Sequence, residues 1–408
     1  MTEAPPQRWW ALSALSLTVL FSWGERATIV YLLPNVGRSY GWSVSEIGSR
    51  GGLLFSVFFV GYGIALITLS GMAQRIGPIR SLYIVVIGSA LVTMSTGAGA
   101  ALMGRTSFPL MVGFRFLLGI VEGVHIPMIA TLVRAWFPLS ERSRANAFFV
   151  NAALLANLAA PWAIVPTAER LGWQTTIVVI GASSLLSFPL LCLISRHPAL
   201  MRDGGDEAAE RDAPPGTTQE LRALFAPLLV LGVCLNLCTY ALFSWLPAYL
   251  DHLSPETGGA RLAGLLTIPT LASGLGIALL AWLGDRWGHK LRLSAVGFGV
   301  MAFFIGLTAR SASVSSALAC ASIALFGLMA YGAQETALVQ RVVSARSTGK
   351  SLGWYNGLGM LIGGSTGTYG FGRLLASTAR YDLALLALIP VALLAAAIAA
   401  LLSRRLAY

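Results

Sequence analysis

Residues 111–133 read MVGFRFLLGIVEGVHIPMIATLV, and residues 19–33 read VLFSWGERATIVYLL. Both are apolar enough to cross a bilayer, yet the first holds Arg115, Glu122 and His125 and the second Glu25 and Arg26. A charge at mid-bilayer costs at least about 2.5–3.5 kcal/mol even on the lenient insertion scale, so charges kept there face one another or water. The two stretches therefore predict membrane-crossing helices with a charged interior, not the core of a soluble domain.

The rest of the chain agrees. It has 408 residues, 56% hydrophobic and only 11% charged, where soluble domains carry about 25% charged residues. A hydrocarbon core of about 30 Å takes about 20 apolar residues per helix. On that ruler twelve spans are predicted, near 9–34, 48–72, 79–101, 107–132, 143–167, 171–195, 223–250, 260–284, 291–309, 313–340, 349–374 and 381–403. Between spans six and seven runs RHPALMRDGGDEAAERDAPPGTTQELR, residues 196–222, whose Pro, Gly and charges suit a flexible linker. The expected organisation is a six-helix bundle over 1–195, a linker over 196–222 and a second six-helix bundle over 223–408. MTEAPPQRWW lacks a basic n-region and a small-residue cleavage site, so no removable signal peptide is expected.

The two halves echo each other. Leu33-Pro34 recurs as Leu246-Pro247, and Gln74-Arg75-Ile76-Gly77 as Asp285-Arg286-Trp287-Gly288. Arg142 before Val150-Asn151-Ala152 recurs as Arg346 before Tyr355-Asn356-Gly357. Offsets that stay between 204 and 213 point to parallel structural repeats, a common way of building transporters.

The net charge of +11 belongs to the loops. Of the 28 Lys and Arg, 18 fall on the side that holds both termini and 8 on the other, leaving Arg26 and Arg115 inside the membrane. The positive-inside rule then puts both ends in the cytoplasm, and a nucleic-acid-tracking patch is not expected. Cys192, Cys234, Cys238 and Cys320 lie in apolar runs with no completing His or Cys pair, so no metal site is expected. No Ser/His/Asp set or phosphate-cradling glycine loop stands out, which argues against an enzyme.

Several stretches resemble the major facilitator superfamily, and within it the anion:cation symporter branch. GERATIVYLLP (24–34) is similar to that branch's acidic-Arg-Ala start of span one, and FSVFFVGYG (55–63) to its span-two motif. RFLLGIVEG (115–123) with RAWFPLSERSRANA (134–147) matches its span-four pattern, and GDRWGHK (284–290) the superfamily's inter-helix loop. The likeness is strong over residues 20–165 and is fold-level over most of the second half. It implies an all-α fold of twelve transmembrane helices in two pseudo-symmetric bundles. The branch includes bacterial sugar-acid and phthalate permeases, sialin and the vesicular glutamate transporters. It also implies an inner-membrane protein, driven by the proton gradient without a cofactor and expected to act as a monomer. Gln74 stands where the superfamily usually has Asp, Leu66 where the branch commonly has Gln, and Glu25 where sugar-acid permeases have Asp. A pocket less polar than a sugar-acid site is expected.

Residue by residue, Arg115 and Glu122 are two helical turns apart and share a face, while Glu25 and Arg26 are about 100° apart. Arg26 is read as the cavity-facing anion ligand, with Glu25 pointing toward span four and Arg115. The resemblance implies that Glu25 and Glu122 take protons and that Arg115 links them; a static ion pair between Arg115 and Glu122 is the plainer reading. A carboxyl in low dielectric is pushed toward neutrality and a nearby guanidinium pushes it back, as coupling requires. His125 either extends a proton relay or packs as a hydrogen-bonded histidine.

Tyr62, Tyr240, Asn236 and Asn356 are the neutral candidates to bind substrate, against a role in helix–helix bonding. Trp23, Trp245, Trp354 and Tyr355 are aromatic residues suited to lining a pocket. Gln334 and Glu335 read as gate or surface residues. Arg75, Asp285 and Arg286 belong to gating loops. The predicted function is proton-coupled import of an organic carboxylate. Its rival is an organic anion exchanger or uniporter without proton coupling.

Overall fold

The computed structural model describes residues 7–197, 200, 223–255, 259–343 and 348–405. Most of linker 196–222, and the echo at Arg346, lie outside the described residues. Among those residues every regular element is helical. In chain order they are α1 (Arg8–Tyr40), α2 (Val44–Thr68), α3 (Ser70–Ile76), α4 (Pro78–Met103), α5 (Phe108–Glu122), α6 (His125–Trp136), α7 (Leu139–Leu171), α8 (Trp173–Ser184) and α9 (Phe188–Ser195). There follow α10 (Phe225–Leu253), α11 (Gly259–Trp287), α12 (Lys290–Ala309), α13 (Val314–Gly332), α14 (Glu335–Val342), α15 (Thr348–Leu358), α16 (Ser365–Thr378), α17 (Tyr381–Leu386) and α18 (Leu388–Leu402).

Pairing the helices that a short break divides recovers the twelve expected spans. Nine helical stretches among the described residues are long and apolar enough to cross a membrane, and the 59-residue stretch Pro78–Trp136 holds two of the spans. α1 falls outside that set because Glu25 and Arg26 interrupt its apolar run. Helix ends follow local chemistry. Gly77 and Gly288, the last residues of the echoed loop motif, both take positive φ, 108° and 67°, where a side chain would be strained.

Two of the breaks stand beside titratable residues. Between α5 and α6 the helix is interrupted at Gly123-Val124, and Pro127 in the first turn of α6 lacks the N–H that would bond across the gap. Between α13 and α14 the interruption falls at Ala333-Gln334. The two restarts, His125 and Glu335, are 210 residues apart, inside the range of the sequence echoes.

The contacts group the chain into two compact units. One comprises Met1–Leu32 and Gly61–Asp212, the other Leu33–Val60 and Ala213–Tyr408. The grouping does not follow chain order, since the end of α1 and the start of α2 pack with the second unit. Within lipid, helix association relies on close packing rather than on water expulsion, and glycines permit it here. In the first unit a Cβ at Gly181 of α8 would lie 2.9 Å from the Met94 nitrogen of α4. In the second, a Cβ at Gly327 of α13 would lie 2.9 Å from the Gly297 carbonyl of α12. The first unit's core packs Leu12, Leu15 and Val19 of α1 with Leu82 and Val86 of α4 and Met128 and Leu132 of α6.

Candidate functional site

Arg26 of α1 and Glu122 of α5 form an ion pair, the guanidinium Nε donating to a carboxylate oxygen. Glu122 is fully buried, and the Arg26 side chain is 13% exposed. The guanidinium carbon lies 3.9 Å from the ring centroid of Trp23 and 4.7 Å from that of Tyr62. Trp23 stands three residues before Arg26, on the same helix face. Tyr62 comes from α2, held close because position 123 is glycine: a Cβ there would sit 2.7 Å from the Tyr62 carbonyl. Aromatic faces stabilise a cation by about 0.5–2 kcal/mol each, more when water is excluded.

Arg115 is buried two turns before Glu122, and its Nη2 donates to the Arg26 backbone carbonyl at 3.2 Å. Glu122 lies in the electrostatic field of both guanidinium groups. The expected sharing of one face by Arg115 and Glu122 is seen, but the carboxylate's ion pair goes to Arg26. The pair forms because α1 and α5 pack closely enough for Arg26 to reach across.

Glu25 is also fully buried. The hydroxyls of Ser89 on α4 and Ser184 on α8 face its carboxyl, with Glu122 in electrostatic contact. Neither of its oxygens accepts a hydrogen bond of normal geometry. Of the expected turn of Glu25 toward span four and Arg115, the contact with Glu122 of span four is seen. Ser89 and Ser184 stand where Arg115 was expected, since the offset of about 100° from Arg26 carries Glu25 toward α4 and α8. His125 is fully buried too, and its Nε2 lies 2.9 Å from Thr18 Oγ1 of α1. Two guanidinium and two carboxyl groups therefore meet in one unit, with zero formal charge when both carboxyls are ionised. Each proton bound there adds one positive charge.

The remaining candidates lie in the second unit, apart from Arg75. The three expected in loops, Arg75, Asp285 and Arg286, fall instead in the last turns of α3 and α11, where the helices run on past the apolar spans. Asn236 donates to the Gly232 carbonyl of its own helix at 2.8 Å. Tyr240 packs on Phe59, ring centroids 4.3 Å apart, and Asn356 is exposed. Trp245 is buried, stacked on Phe371 and donating to the Thr368 carbonyl. Arg75 is exposed on α3. Asp285 pairs with Lys290 at 2.8 Å, and the Arg286 guanidinium lies 5.5 Å from the Trp282 ring centroid. One cluster was missed as such. Tyr331, Tyr355 and Glu335 form a connected polar chain in the second unit, which reading the residues singly did not bring out.

A profile of the major facilitator superfamily matches residues 15–368. The chain belongs to the major facilitator superfamily. As a member it is a multi-pass membrane transporter, not an enzyme. It is 26% identical over 399 residues to a protein of Cupriavidus necator described as a probable sulfoacetate transporter, covering 91% of this chain and 88% of that one. To the D-galactonate transporter of Escherichia coli it is 25% identical over 306 residues, 70% of this chain and 68% of the relative. A crystal structure of a bacterial homologue of the human lysosomal transporter Spinster shares the fold, with a TM-score of 0.77 at 17% identity over 98% of each chain.

Proposed function

We propose that this transporter imports an organic carboxylate together with protons, by alternating access, in the inner membrane with both termini cytoplasmic. The Arg26–Glu122 ion pair carries the reading. While Glu122 is ionised, it occupies the guanidinium that would otherwise take a substrate carboxylate. A proton on Glu122 cancels that attraction and leaves Arg26 as a cation between Trp23 and Tyr62, able to bind a carboxylate through its fork of N–H donors. Glu25 is the second proton site, since a second ionised carboxylate buried beside Glu122, with Ser89, Ser184 and one guanidinium, that of Arg26, acting on it, is costly. Arg115 holds the Arg26 backbone in place and keeps Glu122 within a positive field. The aromatic faces around Arg26 favour a compact or flat anion. Sulfoacetate and galactonate, named for two relatives, are both organic anions, which supports the substrate class.

In this reading the segments 1–195 and 223–408 are the two moving halves, joined by 196–222. The test is uptake into proteoliposomes. Glu122→Gln is expected to abolish accumulation driven by a pH gradient while counterflow persists. Accumulation that survives the substitution defeats the coupling role. Wild-type uptake indifferent to the pH gradient favours an anion exchanger or uniporter instead.

A further inference from the structure

The second unit holds a buried chain of hydroxyl and carboxyl groups that the transport reading does not use. Tyr331 Oη lies 3.0 Å from the Leu228 carbonyl and 2.9 Å from Tyr355 Oη, and Tyr355 Oη lies 3.3 Å from Glu335 Oε2. Both tyrosines are buried, and Glu335 at the outer end is half-buried. Gly232, one turn beyond Leu228, makes the room: a Cβ there would lie 2.5 Å from Tyr355 Cζ.

Three contacts need three protons, and the two tyrosines supply two. The Leu228 carbonyl can only accept, so Tyr331 donates to it. Tyr331 then accepts from Tyr355, whose single hydroxyl hydrogen is used. The contact with Glu335 is left without a hydrogen unless the carboxyl itself donates. An ionised Glu335 would instead turn the Tyr355 hydrogen toward itself, leaving the Tyr331–Tyr355 contact or the Leu228 carbonyl without one. Among the described residues no ion pair reaches Glu335, and the groups in electrostatic contact with the chain are Tyr331, Tyr355 and, behind Tyr331, Cys234 of α10. Arg341, on the same helix, is six residues on and so lies about 240° around it.

We propose that Glu335 is a proton-binding site in its own right, and that its proton ties α14 to α15, α13 and α10 through Tyr355 and Tyr331. Glu335 opens the helix after the second break as His125 does after the first, so each half carries a titratable side chain at the equivalent restart. Loss of the proton turns the chain round: Tyr355 donates to Glu335, Tyr331 to Tyr355, and the Leu228 carbonyl loses its tyrosine. The inference concerns the proton alone and does not depend on the organic-anion reading.

Infrared difference spectra of the full-length protein across a pH titration test it. Wild type is expected to show a carboxylic-acid carbonyl band, lost as pH rises, that Glu335→Gln lacks; bands from Glu25 and Glu122 are common to both and cancel. Tyr355→Phe, which removes the acceptor, is expected to shift that band, and it serves alone should Glu335→Gln fail to fold. Wild-type and Glu335→Gln spectra that coincide at every pH overturn the proposal, as does a Tyr355→Phe spectrum that matches wild type.

Discussion

Arg26 and Glu122 are 96 positions apart in sequence and joined by an ion pair with a fully buried carboxylate. Removing one partner of a buried pair leaves the other charge stranded, at a cost of about 3–5 kcal/mol. Arg26→Met and Glu122→Gln made singly need not cost the same, because an amide in place of the carboxylate can still accept from Arg26. The double variant is expected to be more stable than Arg26→Met alone by thermal unfolding in detergent, while substrate binding stays lost in both. Arg26→Lys keeps the charge without the planar fork, so weakened binding with near-normal stability is the expected outcome. Binding retained in Arg26→Met removes Arg26 from the ligand set.

Gly123, just past the end of α5, packs against α2 beside the site. A Cβ at that position would meet both the Tyr62 carbonyl and the Ala65 Cβ at 2.7 Å, whereas one at Gly113 inside α5 meets nothing within 4 Å. Gly123→Ala is therefore expected to destabilise by about 1–3 kcal/mol through overpacking and to move Tyr62 off the Arg26 guanidinium. Gly113→Ala is expected to be neutral or stabilising by up to about 1 kcal/mol, as an open helical position allows. Equal melting temperatures for the two variants contradict the packing account.

The contrast between these glycines marks what can be read from sequence. Spans are legible because length and apolarity alone decide them, and the buried charges stood out for the same reason. Which guanidinium meets which carboxylate was not legible, because it depends on the rotation of α1 against α5. The break at Gly123-Val124 had a signal in Pro127, but a hydropathy ruler passes over it. Tyr355 and Asn356 are adjacent, and one helical step sends the first into a buried polar chain and leaves the second exposed. Only packing shows which of the two is which.

Thr18 determines the tautomer of His125. Its hydroxyl donates to the Leu15 carbonyl at 2.7 Å, so at the 2.9 Å contact with His125 it can only accept, and Nε2 must carry the hydrogen. Nδ1 is then a bare acceptor, buried without a hydrogen-bond partner. Nitrogen-15 spectra of histidine-labelled protein, assigned with His125→Gln, are expected to show the Nε2–H form. Thr18→Val strands that hydrogen, with an expected loss of about 1–3 kcal/mol and a shift of the tautomer populations. An Nδ1–H signal in wild type reverses the assignment.

Asp285 separates stability from turnover. Its side chain is 73% exposed and pairs with Lys290 at 2.8 Å, and exposed pairs contribute only about 0–1 kcal/mol. Asp285→Asn is therefore expected to leave the melting temperature nearly unchanged. If the loop ion pair forms in one transport state and opens in the other, its loss changes the balance between states, not the affinity of either. Substrate-induced thermal shifts are then expected to match wild type while counterflow slows by up to about fivefold, equivalent to about 1 kcal/mol in the barrier. Unchanged counterflow removes Asp285 from the gating machinery; a lost thermal shift means that the substitution reaches the binding site instead.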